Sequence, residues 1–413
     1  LVLADRPSRE WFVEKILAPL LKSLTLHGFL SFGPEAATIP LTGLNVVLGP
    51  NGSGKSNLVE ALAVLRAVPQ DLPMPIRQGG GVRDWLWKGA TEAKEATIEA
   101  IFYEGQVATA SSGPVAVRYR LTFGAEGDSF VVIDERVENE RADPYFPKPF
   151  FYFGYESGRP MVSVVGEDER KALRREEIDP TQSILSQRRD PEHYPELTKL
   201  AALLGRIRAY RSWPFGPDSI LRAACRADVR TDSLSESFDN LPARLNVLQR
   251  EPEVKRSLAK QLSTLAPGFD DLVIALDGGN LQLYLTEGNR NFAARRLSDG
   301  TLRYLCLLAI LLDPQPPPLV IIEEPELGLH PDTLPTLRDL MVAASDRCQL
   351  LVTTHSATFL DAFTELADSV LVCEKSDATT LVRRLSQGEV DRLKPHGSLG
   401  QLWISGHLGG TRW

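Results

Sequence analysis

Glycines stand at the first, fourth and sixth places of Gly49-Pro50-Asn51-Gly52-Ser53-Gly54-Lys55-Ser56, which closes on Lys-Ser. That spacing suits a phosphate cradle. Glycines let successive backbone N–H groups converge on a phosphate, the lysine reaches the outer phosphate oxygens, and the serine hydroxyl offers a ligand to Mg²⁺. Far downstream, Glu323-Glu324-Pro325-Glu326 follows the unbroken apolar run Leu319-Val320-Ile321-Ile322, so two carboxylates leave the end of a buried strand together. Hydrolysis of a metal-bound triphosphate needs such a pair, one acid to hold the metal or its water and the next to orient and polarise the attacking water. Two further groups come in order. Leu297-Ser298-Asp299-Gly300-Thr301 opens an apolar helix, whose N-terminal amides favour an anion, and Thr353-Thr354-His355-Ser356 closes an apolar strand. Alone, the first is also an ordinary helix cap and a single histidine is ordinarily structural.

The elements that must position these groups are readable. Leu44 to Leu48 reads as a buried strand before the glycine loop, and Leu58, Leu62 and Leu65 share one face of a helix after it. Three strand-like runs, Glu95 to Tyr103, Val115 to Phe123 and Phe130 to Val137, suggest an antiparallel sheet. For the aromatic run Phe150 to Tyr155, core packing outweighs base stacking, and Trp85 with Trp87 reads as a packed turn. Residues 188–268 read as a helical insertion with prolines at 242 and 252 breaking it, and arginines gather there. Arg188, Arg206, Arg208 and Arg211 form a candidate basic surface for DNA; solvated faces and internal pairs are the plainer explanation of such residues. Strands at Leu350 to Thr353 and Ser369 to Cys373 continue an α/β sheet, and the tail from Gln387 carries only a weak helical pattern.

Composition bounds the rest. The 413 residues are 43% hydrophobic and 24% charged with a formal net charge of −8, enough chain for two or three domains and a poor match to blanket nucleic-acid binding. The four cysteines, Cys225, Cys306, Cys348 and Cys373, show no metal-ligand spacing and read as reduced thiols of a cytoplasmic protein. The most apolar run, Tyr304 to Leu312, is too short to cross a bilayer, and Leu1 to Pro19 does not read as a signal peptide.

These motifs together resemble the ABC-type ATPase heads of the RecF, SMC and OLD kind, which are grouped with AAA-family ATPases. The likeness covers most of the chain. It implies an α/β P-loop NTPase fold with an antiparallel β-subdomain, a mainly parallel core and a helical insertion. The expected division is 20–187 and 269–385 as two lobes, 188–268 as the insertion and 386–413 as a tail of unread role.

The resemblance also implies ATP and Mg²⁺ as ligands. It assigns Gly49, Asn51, Gly52, Ser53, Gly54, Lys55, Ser56 and Asn57 to the nucleotide, and Ser298, Asp299 and Gly300 to a signature motif that serves the facing subunit of a homodimer. Ser56 and Glu323 fall on the metal, Glu324 becomes the catalytic glutamate and His355 the switch histidine, and Glu326 to Pro331 is similar to the D-loop. A glutamine that senses metal and water is Gln187, with Gln182 as competitor. Glu323 departs from the aspartate of many relatives, but Glu-Glu-Pro-Glu followed by Leu-Gly-Leu-His-Pro is similar to the OLD branch. No sustained heptads support an SMC arm, and the chain after Cys373 is too short for a TOPRIM nuclease domain. The expectation is an ATP-dependent clamp acting on DNA or on an effector encoded nearby, in DNA maintenance or phage defence and without a membrane. A nucleotide-gated scaffold and a transporter ATPase subunit are the alternatives.

Overall fold

The computed structural model describes residues 19–89, 93–107, 115–167, 170–265 and 268–409. In chain order, β1 (Leu21–His27) pairs with β2 (Ala37–Pro40), and β3 (Leu44–Leu48) runs into the glycine loop and α1 (Lys55–Ala67). Short helices α2 (Pro73–Gln78) and α3 (Val82–Trp85) follow, with Trp85 and Trp87 packed inside as the sequence suggested. Next come β4 (Glu95–Phe102), β5 (Val117–Glu126), β6 (Ser129–Asn139), β7 (Phe151–Glu156), β8 (Arg159–Val162) and β9 (Lys171–Ala172). With β1 and β2 they form one antiparallel sheet of eight strands. Strand β4 alternates buried and accessible residues, as a sheet with one covered face requires.

Residues 188–268 depart from a purely helical insertion. After α4 (Ile184–Gln187), helix α5 (Pro195–Gly205) packs on α1, and β10 (Arg208–Tyr210) joins the central sheet. Three residues among arginines are too few to show a strand's period of two, so β10 left no sequence signal. Strand β11 (Cys225–Arg226) and helices α6 (Leu241–Leu248) and α7 (Pro252–Leu265) complete the stretch. Pro242 is the second residue of α6 and Pro252 the first of α7, both in the first turn, where the missing N–H costs nothing. Strands β12 (Asp271–Asp277) and β13 (Asn280–Glu287) form a hairpin, joined by β14 (Arg290–Ala293) and β11 in a small antiparallel sheet.

The remaining elements build the core. Helix α8 (Asp299–Leu311) leads to β15 (Leu319–Glu323), α9 (Leu334–Ser345) to β16 (Gln349–Thr354), and α10 (Ala357–Asp361) to β17 (Val370–Ser376) and β18 (Thr379–Arg384). The six-stranded sheet runs β10-β15-β16-β3-β17-β18, parallel except for its last pair. Alternate residues serve opposite faces: Val47, Ile321 and Leu351 pack with α1 and the eight-stranded sheet, whereas Val46, Ile322 and Val352 pack with α8 and α9. The tail forms α11 (Gln387–Leu393) and α12 (Leu399–Ile404), and Leu399, Leu402 and Trp403 bury in the second of these cores.

A buried carboxylate ties the antiparallel sheet to the segment that carries both candidate glutamines. Glu135 on β6 accepts hydrogen bonds from Tyr119 Oη at 2.8 Å, from the Ile184 amide at 2.8 Å and from the Ser183 hydroxyl. Burial pushes its carboxyl from an ordinary 4.5 up to about 6, against the pull of those donors. Between these two values the folded chain keeps a proton that the unfolded chain has lost, so rising pH lowers stability across that window. The full cost, about 2 kcal/mol, is reached above pH 6 and is absent below pH 4.5. Chemical unfolding of wild type and Glu135→Gln between pH 4.5 and 7 is expected to show wild type losing about that much ground relative to the variant. A pH-independent difference would contradict the assignment.

Candidate active site

Parallel pairing brings the motif residues to one edge of the central sheet. Leu48, the last residue of β3, lies opposite Thr354, and Thr353 lies opposite Glu323. The glycine loop, the acid pair and the histidine therefore emerge side by side. A cleft of about 440 Å³ opens there, lined by Asn51, Gly52, Gly54, Lys55, Ser56 and Asn57 on one side and by Glu323, Glu324 and Thr353 on the other.

The loop is held from below by hydroxyl groups. Thr380 on β18 donates to the Ser53 carbonyl at 2.9 Å and meets Ser31 Oγ at 2.7 Å, and Asn57 Nδ2 donates to Ser31 at 2.6 Å. Gly52 and Gly54 adopt left-handed φ angles of 76° and 104°. Lys55 is buried and donates to the carbonyls of Gly49 at 2.5 Å and Pro50 at 3.0 Å. Burial lowers its pKa, while Cys373 and the carboxylates of Glu324, Glu323 and Glu326 favour its charge.

The acid pair divides in environment. Glu323 is anchored through its carbonyl by the Trp213 indole at 2.9 Å, and its carboxylate lies 3.3 Å from Arg211 Nε. Burial raises the Glu323 pKa, and Arg211 opposes that shift. Glu324 takes a left-handed φ of 47°, costly for a side chain with a Cβ and more so before proline. Its amide donates to the Thr353 carbonyl at 3.0 Å, its carbonyl accepts from Arg303, and its carboxylate meets His355 Nδ1 at 2.8 Å. Glu326 is buried beneath and accepts from the Thr354 hydroxyl; burial raises its pKa first of all.

Other expected site residues stand outside the cleft. Ser298 caps α8 by accepting from the Thr301 amide at 3.1 Å, and Asp299 pairs with Arg222 at 2.5 Å. Gly300 sits so close to the Gly328 carbonyl that a Cβ would reach within 2.6 Å of it. Gln187 is not brought to the phosphate loop. It accepts from the Asp179 amide at 2.8 Å and donates to the Gln182 carbonyl at 3.0 Å, closing its own turn. Gln182 accepts from the Leu72 amide at 3.3 Å, also outside the cleft lining. Within the cleft, the oxygens of Ser56 and Glu323 are hard donors that suit Mg²⁺ completed by phosphate and water oxygens. Among the described residues no group of three or more His, Cys, Asp or Glu side chains could hold a metal by itself.

Four cleft residues escaped the sequence reading of the site: Arg211, Trp213, Phe215 and Arg303. The first three follow the three-residue strand β10. Arg303 is fully buried on apolar α8, with its guanidinium 4.2 Å from the Trp213 ring centroid, and burial lowers its pKa to about 10. A lone arginine inside an apolar helix was the available signal. Arg211 belongs to the cleft and not to a basic surface with its neighbours. Arg206 and Arg208 line a second cleft with Arg244 and Asp313, and Arg188 donates to the Glu177 carbonyl. All four cysteines are buried and unbridged, and no helix of the described residues is long and apolar enough to cross a membrane.

Comparison with known proteins gives concordant findings. Residues 44–361 match the family described as "AAA domain, putative AbiEii toxin, Type IV TA system". The OLD nuclease of Thermus scotoductus is 23% identical over 403 residues, covering 92% of this chain and 68% of that protein. The chromosome partition protein Smc of Mycobacterium tuberculosis is 58% identical over 71 residues, 17% of this chain and 6% of Smc. The Smc relatives are thus matched over a tenth of their length or less. Among solved structures, the Smc head bound to the C-winged helix domain of ScpA is similar with a TM-score of 0.56 at 18% identity, over 90% of this chain and 99% of that one. It shows the fold: this chain has that of an SMC-type ATPase head.

The two loop glycines separate strain from crowding. A Cβ on Gly52 meets nothing within 4 Å, whereas one on Gly54 would strike the Thr380 hydroxyl. Gly52→Ala is expected to cost about 1–2 kcal/mol of unfolding free energy from the left-handed backbone alone. Gly54→Ala should cost roughly 1–3 kcal/mol more through overpacking, as read by denaturant titration.

Proposed function

Because the chain belongs to the AAA-domain family whose model spans residues 44–361, we propose that it is an ATP hydrolase that works as a nucleotide-driven switch. The observation that carries this reading is the Glu324 carboxylate, fixed 2.8 Å from His355 at the rim of the cleft that the glycine loop lines. The loop amides and Lys55 bind the triphosphate, whose oxygens take over the ammonium hydrogen bonds now made to Gly49 and Pro50. Ser56 and Glu323 hold Mg²⁺, which when bound neutralises charge on the phosphate oxygens. Glu324 orients the attacking water and draws its proton, and His355 fixes that carboxylate from the side. The strained backbone of Glu324, clamped by Thr353 and Arg303, sets its direction before substrate arrives.

Ser298, exposed at the start of α8, lies outside the cleft of its own chain, which favours a role for Ser298, Asp299 and Gly300 at the γ-phosphate of a second copy. In that reading ATP closes a homodimer and hydrolysis opens it. The names of the relatives, nuclease and chromosome partition, support a target that is DNA or a protein acting on DNA, in maintenance or in phage defence. Steady-state phosphate release tests the chemistry. Glu324→Gln is expected to bind nucleotide but release phosphate at least about 100-fold more slowly than wild type. Lys55→Ala is expected to lose nucleotide binding. Equal, low release by wild type and Glu324→Gln would remove the enzyme and leave a nucleotide-gated scaffold.

A further inference from the structure

We propose that Arg211 is a resident counter-cation of the metal-side acid, handed from Glu323 to Glu60 when a divalent cation binds. This rests on the reading that Glu323 takes the metal. Tyr210 lies opposite Ile322 in the parallel pair of β10 and β15, so the next residue, Arg211, is delivered beside Glu323. Its guanidinium bridges two carboxylates, with Nη1 2.8 Å from Glu60 Oε1 and Nε 3.3 Å from Glu323 Oε1. The Trp213 indole pins the Glu323 main chain, so exchange of partners needs only side-chain motion.

A divalent cation on Glu323 repels a guanidinium at this range, and the half-buried arginine would be costly to leave unpaired. Glu60 supplies the partner. Moving fully onto Glu60 keeps Arg211 neutralised while Glu323 turns to the metal. Glu60 is also four residues after Ser56 on α1, and therefore on the same helix face as the second metal ligand. Metal occupancy and the phosphate-loop helix are thereby linked through one side chain.

The two carboxylate partners make the test directional. Arg211→Gln leaves Glu60 and Glu323 uncompensated and should tighten divalent binding. Glu60→Gln strands Arg211 on Glu323 and should weaken it. The measurement is the free Mn²⁺ resonance during titration of the full chain with MnCl₂ and ADP equimolar to the protein, against the same titration of ADP without protein. Arg211→Gln is expected to lower the midpoint roughly threefold to tenfold, and Glu60→Gln to raise it by a similar factor. Arg211→Lys, which keeps the charge, should stay near wild type. Midpoints of Arg211→Gln and Glu60→Gln that are unchanged, or shifted in the same direction as damage to a merely structural bridge would shift them, overturn the proposal and leave the proposed function standing. Wild type that retains no Mn²⁺ with ADP overturns the proposal, and the proposed function is judged separately by phosphate release.

Discussion

The site depends on the register of four parallel strands. With β10, β15, β16 and β3 paired so that Tyr210 neighbours Ile322, Glu323 neighbours Thr353 and Thr354 neighbours Leu48, the strand ends step by no more than one residue from each strand to the next. The residues just beyond those ends are Arg211, Glu324, His355 and the glycine loop. A slip of one residue in any pair would turn a strand's apolar set toward the wrong core and carry its terminal group out of the cleft. The alternation of Val46 with Val47 and of Ile321 with Ile322 between two separate cores is what forbids that slip.

Within this frame the cleft is a balance of opposed charges at close range. Lys55, Arg211 and Arg303 face Glu60, Glu323 and Glu324, and Glu326 lies buried just behind. Burial disfavours the charges of Lys55, Arg303, Glu323 and Glu326, and groups of opposite charge oppose that shift in each. Arg303 shows the tension, because among the described residues its Nε and Nη1 find no acceptor while its Nη2 holds the Glu324 carbonyl. The aromatic ring of Trp213 compensates the guanidinium in part.

The sequence made the chemistry more legible than its setting. The glycine loop, the acid pair and Thr-His-Ser could be read because each is a contiguous motif hung on a strongly apolar strand. The antiparallel block was visible from its alternation, although its full extent was not, since β8 and β9 are short. Strand β10 was missed for the same reason, and with it Arg211, Trp213 and Phe215. Residue type also misled: a glutamine was expected near the metal, yet Gln187 and Gln182 serve a turn tethered by the buried Glu135. That tether joins positions 49 residues apart in sequence, Glu135 and Ile184, and no local pattern encodes it.

The central proposal is that this cleft is half of a site whose other half is Ser298 to Gly300 of a second copy. The direct test is phosphate release by Lys55→Ala and Ser298→Arg, assayed separately and as a mixture at equal concentration. Each variant alone should be inactive, and the mixture should regain release, because a mixed dimer joins an intact loop from one chain to an intact Ser298 from the other. Full activity of Ser298→Arg alone, or a mixture no more active than its parts, would contradict the account.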